Sequence, residues 1–491
     1  MCNYQETNSN IDRDQALRDA IDESRSADLK QHADKLIQGF VKLDDSSVKR
    51  AVWELVQNAC DLSTECKVII DYSKGSFSFS HNGKPFKSAT LISLIKQVSN
   101  NDDKIENVGQ FGTGFISTHV FGRKFTINSF LDVKGKFIKV RDFLVDRSAT
   151  ESETMVKSIQ DQENDVYSLI KIGEITQETD KLTTFTYLPS SKVEHQNITE
   201  STTNLQEYIP LVLTLNKKLI SVTIINKNGE EKTFKKGVKT LLNGCYITPI
   251  ETDQGDTDVF SLKDDAEELE VILPLSKIDL TIPNNERVAK LFLFYPLIGT
   301  EEWGCNFIIH SKYFQPTESR DGIHLKSANE QNRQDESKNR LLINKASELI
   351  FEFVKKQGPV VKHPINLARI NFNVDGEKQL LNEYFQGLKA TWVEHFRQIQ
   401  LVETESGRLD PSSAWFFERE LLLDEESLSS IYSVVSKYWK NVPRIDLVRD
   451  WTSIIEEWKL ASPQIIKIKD LIINIEKDGS LQSFENPDDL Y

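Results

Sequence analysis

The chain has 491 residues, 38% of them apolar and 27% charged, with a formal charge of −15. That length asks for two or three domains. With no apolar run near the ~20 residues of a bilayer span and no apolar signal core in its polar start, it reads as a cytoplasmic protein with no membrane partner. The acidic balance gives no indication of nucleic-acid binding. Five scattered cysteines, without a CxxC, exclude a disulfide framework or a thiolate zinc site.

Residues 1–24 form an N-terminal extension, and a helical pattern then runs from Ser24 to about Leu62. Ala33, Leu36, Ile37 and Phe40 recur at helical spacing. After a break at Asp44-Asp45-Ser46, Val48, Val52, Leu55, Val56 and Ala59 make a second stripe, with Asp45 or Ser46 as N-cap. Lys67–Asp71 and Ser76–Ser80 read as strands around a Lys74-Gly75 turn, followed by a helix at Ala89–Val98. Lys124–Val140 and Lys181–Leu188 read as strands of the same sheet. A second region begins near Asn216, where Leu219–Ile225 and Glu231–Phe234 flank the hairpin signal Lys227-Asn228-Gly229. Val288–Pro296 and Asn306–His310 add strands, with Thr-Ile-Pro-Asn-Asn-Glu as a loop before them, and Asp264–Glu270 reads as a solvated acidic loop or helix face. Beyond Ser327 a helix carries Leu342, Ala346, Leu349, Ile350 and Phe353, stopped by Gly358-Pro359. The helical remainder holds Trp392, Trp415, Trp439, Trp451 and Trp458, expected as packing anchors. The abrupt end after a helix suggests a piece of a longer protein.

Three segments carry chemistry. In WELVQNACDL (residues 53–62), Glu54, Asn58 and Asp61 share one helix face, opposite the apolar stripe. The Asn58 carbonyl oxygen suits Mg²⁺, a hard cation, and Glu54, one turn earlier, can hold and deprotonate a water. In FSFSHNGKPF (77–86) a strand ends at Asn82-Gly83, where a missing side chain lets a flat ring approach the backbone. In VGQFGTGF (108–115), Gly109, Gly112 and Gly114 leave backbone amides open to phosphate oxygens at a helix start. Each alone is common. Together, within about 60 residues and in the order helix, strand-turn, glycine loop-helix, they point to one nucleotide site.

This order resembles the GHKL ATPase superfamily of gyrase, the ninety-kilodalton heat-shock chaperone, histidine kinases and MutL. ELVQNACD is similar to its N-box and GQFGTGF to its second glycine box. HNGKPF looks most like the sacsin-type and related bacterial branch. The resemblance is specific over about residues 48–125, weaker to about 190, and beyond that rests on phrases such as FYPL and YFQPTESRDGI. It implies an α+β chain: a Bergerat-type α/β sandwich that binds ATP at 25–215, a small α+β middle domain at 216–326 and a helical C-terminal region at 327–491. By resemblance Glu54 is the general base, Asn58 the Mg²⁺ ligand and Asp61 a polar wall. Gly83 lies beneath the adenine. Gly109, Gln110, Phe111, Gly112, Thr113, Gly114 and Phe115 form the phosphate loop and its following aromatic. Thr184 matches a purine-site threonine, and Lys104, in the lid at 99–108, reaches a phosphate. Where the family has an adenine-binding aspartate stands His81, followed by Asn82. His81 reads equally as a turn residue or a base contact, accepting or donating. Arg320 reads either as the middle domain's cation for the γ-phosphate or as a surface partner of Glu318 or Asp321.

The expected function is a slow Mg-dependent ATPase acting as a conformational switch on a protein partner or client, with an ATP-dependent homodimer as a possible form. The alternative is a nucleotide-gated regulatory subunit, for example of a bacterial defence assembly, with little hydrolysis. A histidine-kinase-type phosphotransferase ranks lower, since only His32 precedes the N-box and lacks the usual context.

Overall fold

The computed structural model describes residues 13–97, 114–177, 182–242, 244–275, 288–372, 379–422, 425–459 and 463–477. They fall into two compact units, one within 1–209 and 217–235, the other within 210–216 and 236–491. Among the described residues no helix is long and apolar enough to cross a membrane.

The first unit opens with helix α1 (Arg13–Val41) and helix α2 (Asp45–Asp61). The N-cap of α2 is Asp44, one residue before the expected Asp45 or Ser46. Its carboxylate accepts from the Ser47 N–H at 2.9 Å while the Ser47 hydroxyl accepts from the Asp44 N–H, a reciprocal box that fixes the start. Hydrogen bonds, that from Ser46 first, hold the Asp44 carboxyl below its ordinary range.

Strands β1 (Cys66–Asp71), β2 (Phe77–His81) and β3 (Phe86–Lys87) follow, then α3 (Ser88–Lys96) and the short α4 (Gly114–Ser117), continued by a 3₁₀ turn at Thr118–Phe121. The expected strand at 124–140 is a hairpin, β4 (Lys124–Val133) and β5 (Lys136–Asp146), because Gly135 turns the chain at φ 81°. Helix α5 (Ser152–Ile172) then packs across α1, α3 and β5. Buried Glu163 on α5 holds Arg25 of α1 at 3.2 Å and Lys96 of α3 at 2.7 Å. Strand β6 (Ile175–Thr176), β7 (Thr183–Tyr187), α6 (Lys192–Thr202), the first half of α7 (Leu205–Leu215) and the hairpin β8 (Leu219–Ile225) and β9 (Glu231–Lys236) complete the series, the boundary between the units falling within α7.

The strands lie in the order β9-β8-β1-β2-β7-β4-β5-β6. The Lys227-Asn228-Gly229 hairpin, read as the opening of the second region, pairs through β8 in parallel with β1. The sheet is two-faced, as alternation requires. Val68, Ile70, Phe77, Phe79, His81, Phe185 and Tyr187 are buried on one side. The other carries half-buried hydroxyls in cross-strand pairs, Ser78 with Thr186 and Ser80 with Thr184. The buried face is covered by the turn after Gly114. Phe121 stacks on Phe77 at 4.1 Å, Phe115 lies 5.9 Å from Phe185, and Tyr187 donates to Thr118 at 2.7 Å.

The second unit has an antiparallel run, β10 (Thr240–Leu242), β11 (Cys245–Thr252), β12 (Thr257–Asp264) and β13 (Leu269–Leu273), joined by β14 (Leu291–Leu293), β15 (Tyr295–Pro296) and β16 (Ile308–Ser311). The loop expected at 281–286 lies outside the described residues. Helices α8 (Arg333–Gln357) and α9 (Gln379–Phe396) and the later α10 (Val448–Trp458) share one apolar core with these strands. Trp392, Trp451 and Trp458 are buried in that core. Trp392 donates to Ser347 and Trp458 to the Ala368 carbonyl, the anchoring expected of them. The acidic run at 264–270 is a turn into β13 in which Glu270 is buried, paired with Lys239 and Ser261. Strand β13 is buried at all five positions, so this carboxylate is covered too.

Candidate functional site

Helix α2 is buried on nearly every side through its middle, so the acidic stripe is not a solvated face. Trp53 meets Tyr208 of α7 edge-on at 5.8 Å, and Ser201 of α6 donates to the Val48 carbonyl. Glu54 is only 9% exposed. What covers it is backbone: a Cβ built on Gly114 would meet the Glu54 Oε2 and lie 2.8 Å from its Cδ. Only glycine allows this approach of the first turn of α4 to the carboxylate.

Asn58 and Asp61 are half-buried farther along the same helix. Burial pushes the Asp61 carboxyl up to about 6, opposed by Lys218. A carboxylate kept in such surroundings is a mark of functional sites. The helix ends at Leu62, whose carbonyl accepts from the Lys84 N–H at 3.0 Å. A Cβ on Gly83 would lie 3.0 Å from Leu62 Cβ and 2.8 Å from His81 Nδ1. The first glycine turn is thus closed onto the C-terminal end of α2.

His81 is the last residue of β2 and is 3% exposed, on the covered face, with its ring near-parallel to Phe185 at 6.2 Å. It is therefore not a plain turn residue. Burial lowers its pKa to about 4, so the ring is neutral at physiological pH. Asn82 is committed locally. Its Oδ1 accepts from the Lys67 N–H at 2.8 Å and its Nδ2 donates to the Glu65 carbonyl at 2.9 Å.

The pleat separates Thr184 from His81. Thr184 pairs with Ser80 and Asn128 on the half-open face, away from His81. Thr183, directly opposite His81, is buried on the covered face and shares a 2.7 Å hydrogen bond with Ser129. Choosing between adjacent threonines needs the register against β2, because a shift of one residue swaps faces.

A second residue had no signal in the sequence. Arg147, just past β5, is 1% exposed. Its guanidinium donates to Gln97 Oε1 and His119 Nε2, both at 3.0 Å, and to the Leu94 carbonyl at the end of α3. The His119 Nδ1 faces the Ile116 carbonyl at 3.2 Å, so its proton sits there and Nε2 accepts. Arg147 thereby ties the end of α3 to the turn that follows Gly114.

Lys104, Gly109, Gln110, Phe111, Gly112 and Thr113 lie outside the described residues. Arg320 belongs to the second unit, in a turn at 317–322 where its φ is 53°. Among the described residues no cluster of three His, Cys, Asp or Glu side chains suits a metal ion. Mg²⁺ in nucleotide sites is held by one or two protein oxygens together with phosphates rather than by an all-protein cage. The Asn58 amide on the Glu54 face fits that donor set.

The first unit thus brings together Glu54 and Gly114 at the middle of α2, and Gly83 and His81 near its C-terminal end beside Asp61. Residues 46–179 match the family described as histidine kinase-, DNA gyrase B- and HSP90-like ATPases. No curated protein matches the chain. The helix α2 with its buried glutamate, and the glycine-started turn that faces it, lie within the matched span: residues 46–179 form an ATPase-type domain of the GHKL superfamily.

Proposed function

We propose that this chain binds ATP with Mg²⁺ between α2 and the covered sheet face and hydrolyses it slowly, as a conformational switch like the chaperone- and sacsin-type GHKL ATPases. The observation that carries the reading is the approach of Gly114 to the Glu54 carboxylate, which joins the N-box to the glycine box. Glu54 takes a proton from water as the water oxygen attacks the γ-phosphorus and ADP leaves. General-base help of this kind contributes ~10²–10⁴-fold. Asn58 would hold Mg²⁺, which when bound neutralises charge on the phosphates. Asp61 and Thr183 line the site, with Thr183 in place of Thr184. A glutamate screened from water and aimed by a rigid helix is suited to few, controlled turnovers, and release or closure commonly limits such enzymes. Coupling to a protein partner, and dimerisation with ATP, belong to the same proposal.

Glu54→Ala tests it. Hydrolysis is expected to fall ~10²-fold or more while ATP binding, read by calorimetry, persists. Equal turnover by both proteins would remove Glu54 from the mechanism.

A further inference from the structure

Helix α4 is a single turn, Gly114–Ser117, continued by the 3₁₀ turn at Thr118–Phe121. One turn has too few internal hydrogen bonds to hold its own place. The distance from Gly114 to the Glu54 carboxylate is therefore set by what grips this turn from outside. Helix α1 closes on it where a Cβ on Gly39 would lie 2.8 Å from the Ile116 Cδ1. His119, 2% exposed, packs its ring 5.2 Å from Phe40, 5.8 Å from Phe115 and 5.6 Å from Phe125.

Ring packing sets where the imidazole lies, and hydrogen bonds set which way its nitrogens point. Nδ1 faces the Ile116 carbonyl at 3.2 Å and Nε2 accepts from Arg147 at 3.0 Å. The ring is thus a strut between a guanidinium and the backbone of the turn. Arg147 is fixed at both ends. Its backbone N–H donates to the Arg123 carbonyl at 2.9 Å, and its guanidinium is anchored on the Leu94 carbonyl and Gln97 Oε1. Helix α3, which supplies that anchor, is held in turn by Lys96 on the buried Glu163. A line of polar contacts runs from the sheet and α3 through Arg147 and His119 to Ile116, two residues from Gly114.

Replacing a buried charge together with its partners by apolar groups is often neutral for stability. What an apolar cluster lacks is direction, and hydrolysis needs direction, since a misplacement of ~1 Å can cost ~10²-fold. We infer that Arg147 is a positioning residue for hydrolysis: acting through His119, it sets the place of the glycine-started turn against Glu54. This rests on the reading of Glu54 as the general base. Without the guanidinium, Nε2 becomes a buried acceptor that has lost its donor, a penalty relieved when the ring turns and draws the Ile116 carbonyl with it. Glu54 then loses its aim, while Gly83 and Asp61 keep their places.

The test is a double-mutant cycle with Mg-ATP on the full chain. Arg147→Met and Arg147→Lys are made in the parent and in Glu54→Ala, with turnover at saturating ATP, affinity by calorimetry and melting to show that each is folded. Arg147→Met is expected to lower kcat about ten- to a hundredfold with Kd changed less than about twofold, and Arg147→Lys to fall between it and the parent. In Glu54→Ala the same substitution should lower kcat by less than about twofold, because residues that act as a unit are not additive. A folded Arg147→Met with the parent's kcat, a loss in affinity alone, or an equal loss of kcat with and without Glu54 overturns the inference and leaves the nucleotide site standing. Should Arg147→Met fail to fold, Arg147→Lys decides by the same three outcomes. If Glu54→Ala by itself turns over like the parent, the general-base reading falls and takes this one with it.

Discussion

At the middle of α2 a glycine lies against a carboxylate, and just past its C-terminal end a glycine lies against an imidazole. Both Gly114 and Gly83 make room where a Cβ would collide with a polar side chain. The partners differ in what they can do. Glu54 can accept a proton, whereas His81 is buried, neutral and committed at Nδ1. In the proposed function the same backbone device serves chemistry at the middle of the helix and positions the imidazole past its C-terminal end. The contrast teaches that a glycine's meaning in a site is set by the group it faces.

The comparison breaks most visibly through the glycines themselves. Gly114→Ala would drive the Glu54 carboxylate from its place, and hydrolysis should drop ~10²-fold with affinity nearly kept. Gly83→Ala crowds His81 and Leu62 instead, and should weaken binding and stability by ~1–3 kcal/mol with turnover of bound nucleotide retained. Steady-state hydrolysis alongside calorimetry separates the two, and identical profiles would erase the distinction between the two glycines.

Arg147→Met removes the tie between α3 and the turn after Gly114, leaving the His119 Nε2 and the Gln97 Oε1 without their donor. A loss of ~2–4 kcal/mol is expected in urea unfolding. Arg147→Lys should recover only part, because one ammonium cannot reproduce the planar fork. A full recovery would mean that charge alone matters there. Opposite His81, Thr183→Val should cost about 1 kcal/mol through the orphaned Ser129 hydroxyl, against less than ~0.5 for Thr184→Val on the half-open face. Equal effects would put the register in question.

The smallest effect is a pH slope. The Asp61 carboxyl is raised to about 6 in the folded protein, above its unfolded value near ~4. The folded state binds the extra proton between these values, so stability falls as pH rises from about 4 through about 6 and is flat above. Asp61→Asn should remove that slope and be the more stable protein at pH 7, as expected of a residue kept for function rather than for folding. Melting temperatures across this range decide it.

Much of the first unit was readable from local pattern. The α2 stripe, the β1 and β2 strands, the Lys74-Gly75 turn and the site-bearing order of Glu54, Gly83 and Gly114 all follow from periodicity, turn chemistry and missing side chains, which act over a few residues. Sequence spacing placed Glu54, Asn58 and Asp61 on one helix face, without showing what covers it. Tertiary packing buried it, since α4 and α6 close on a helix that carries small residues such as Ala51 and Ala59. That Thr183 rather than Thr184 stands opposite His81 needed strand register, and the pairing of β8 with β1 needed the partner strand. His81's single donor came from a hydrogen bond to a backbone amide two residues away, whose direction no letter specifies. Arg147 is the extreme case: its partners come from residues 94–97 and 119, and only the folded chain brings those carbonyl, amide and imidazole groups around one guanidinium. Local forces fix which groups are available. Long-range packing alone decides which of them face each other, because burial turns each unpaired polar atom into a loss of stability and so selects the arrangement that satisfies them.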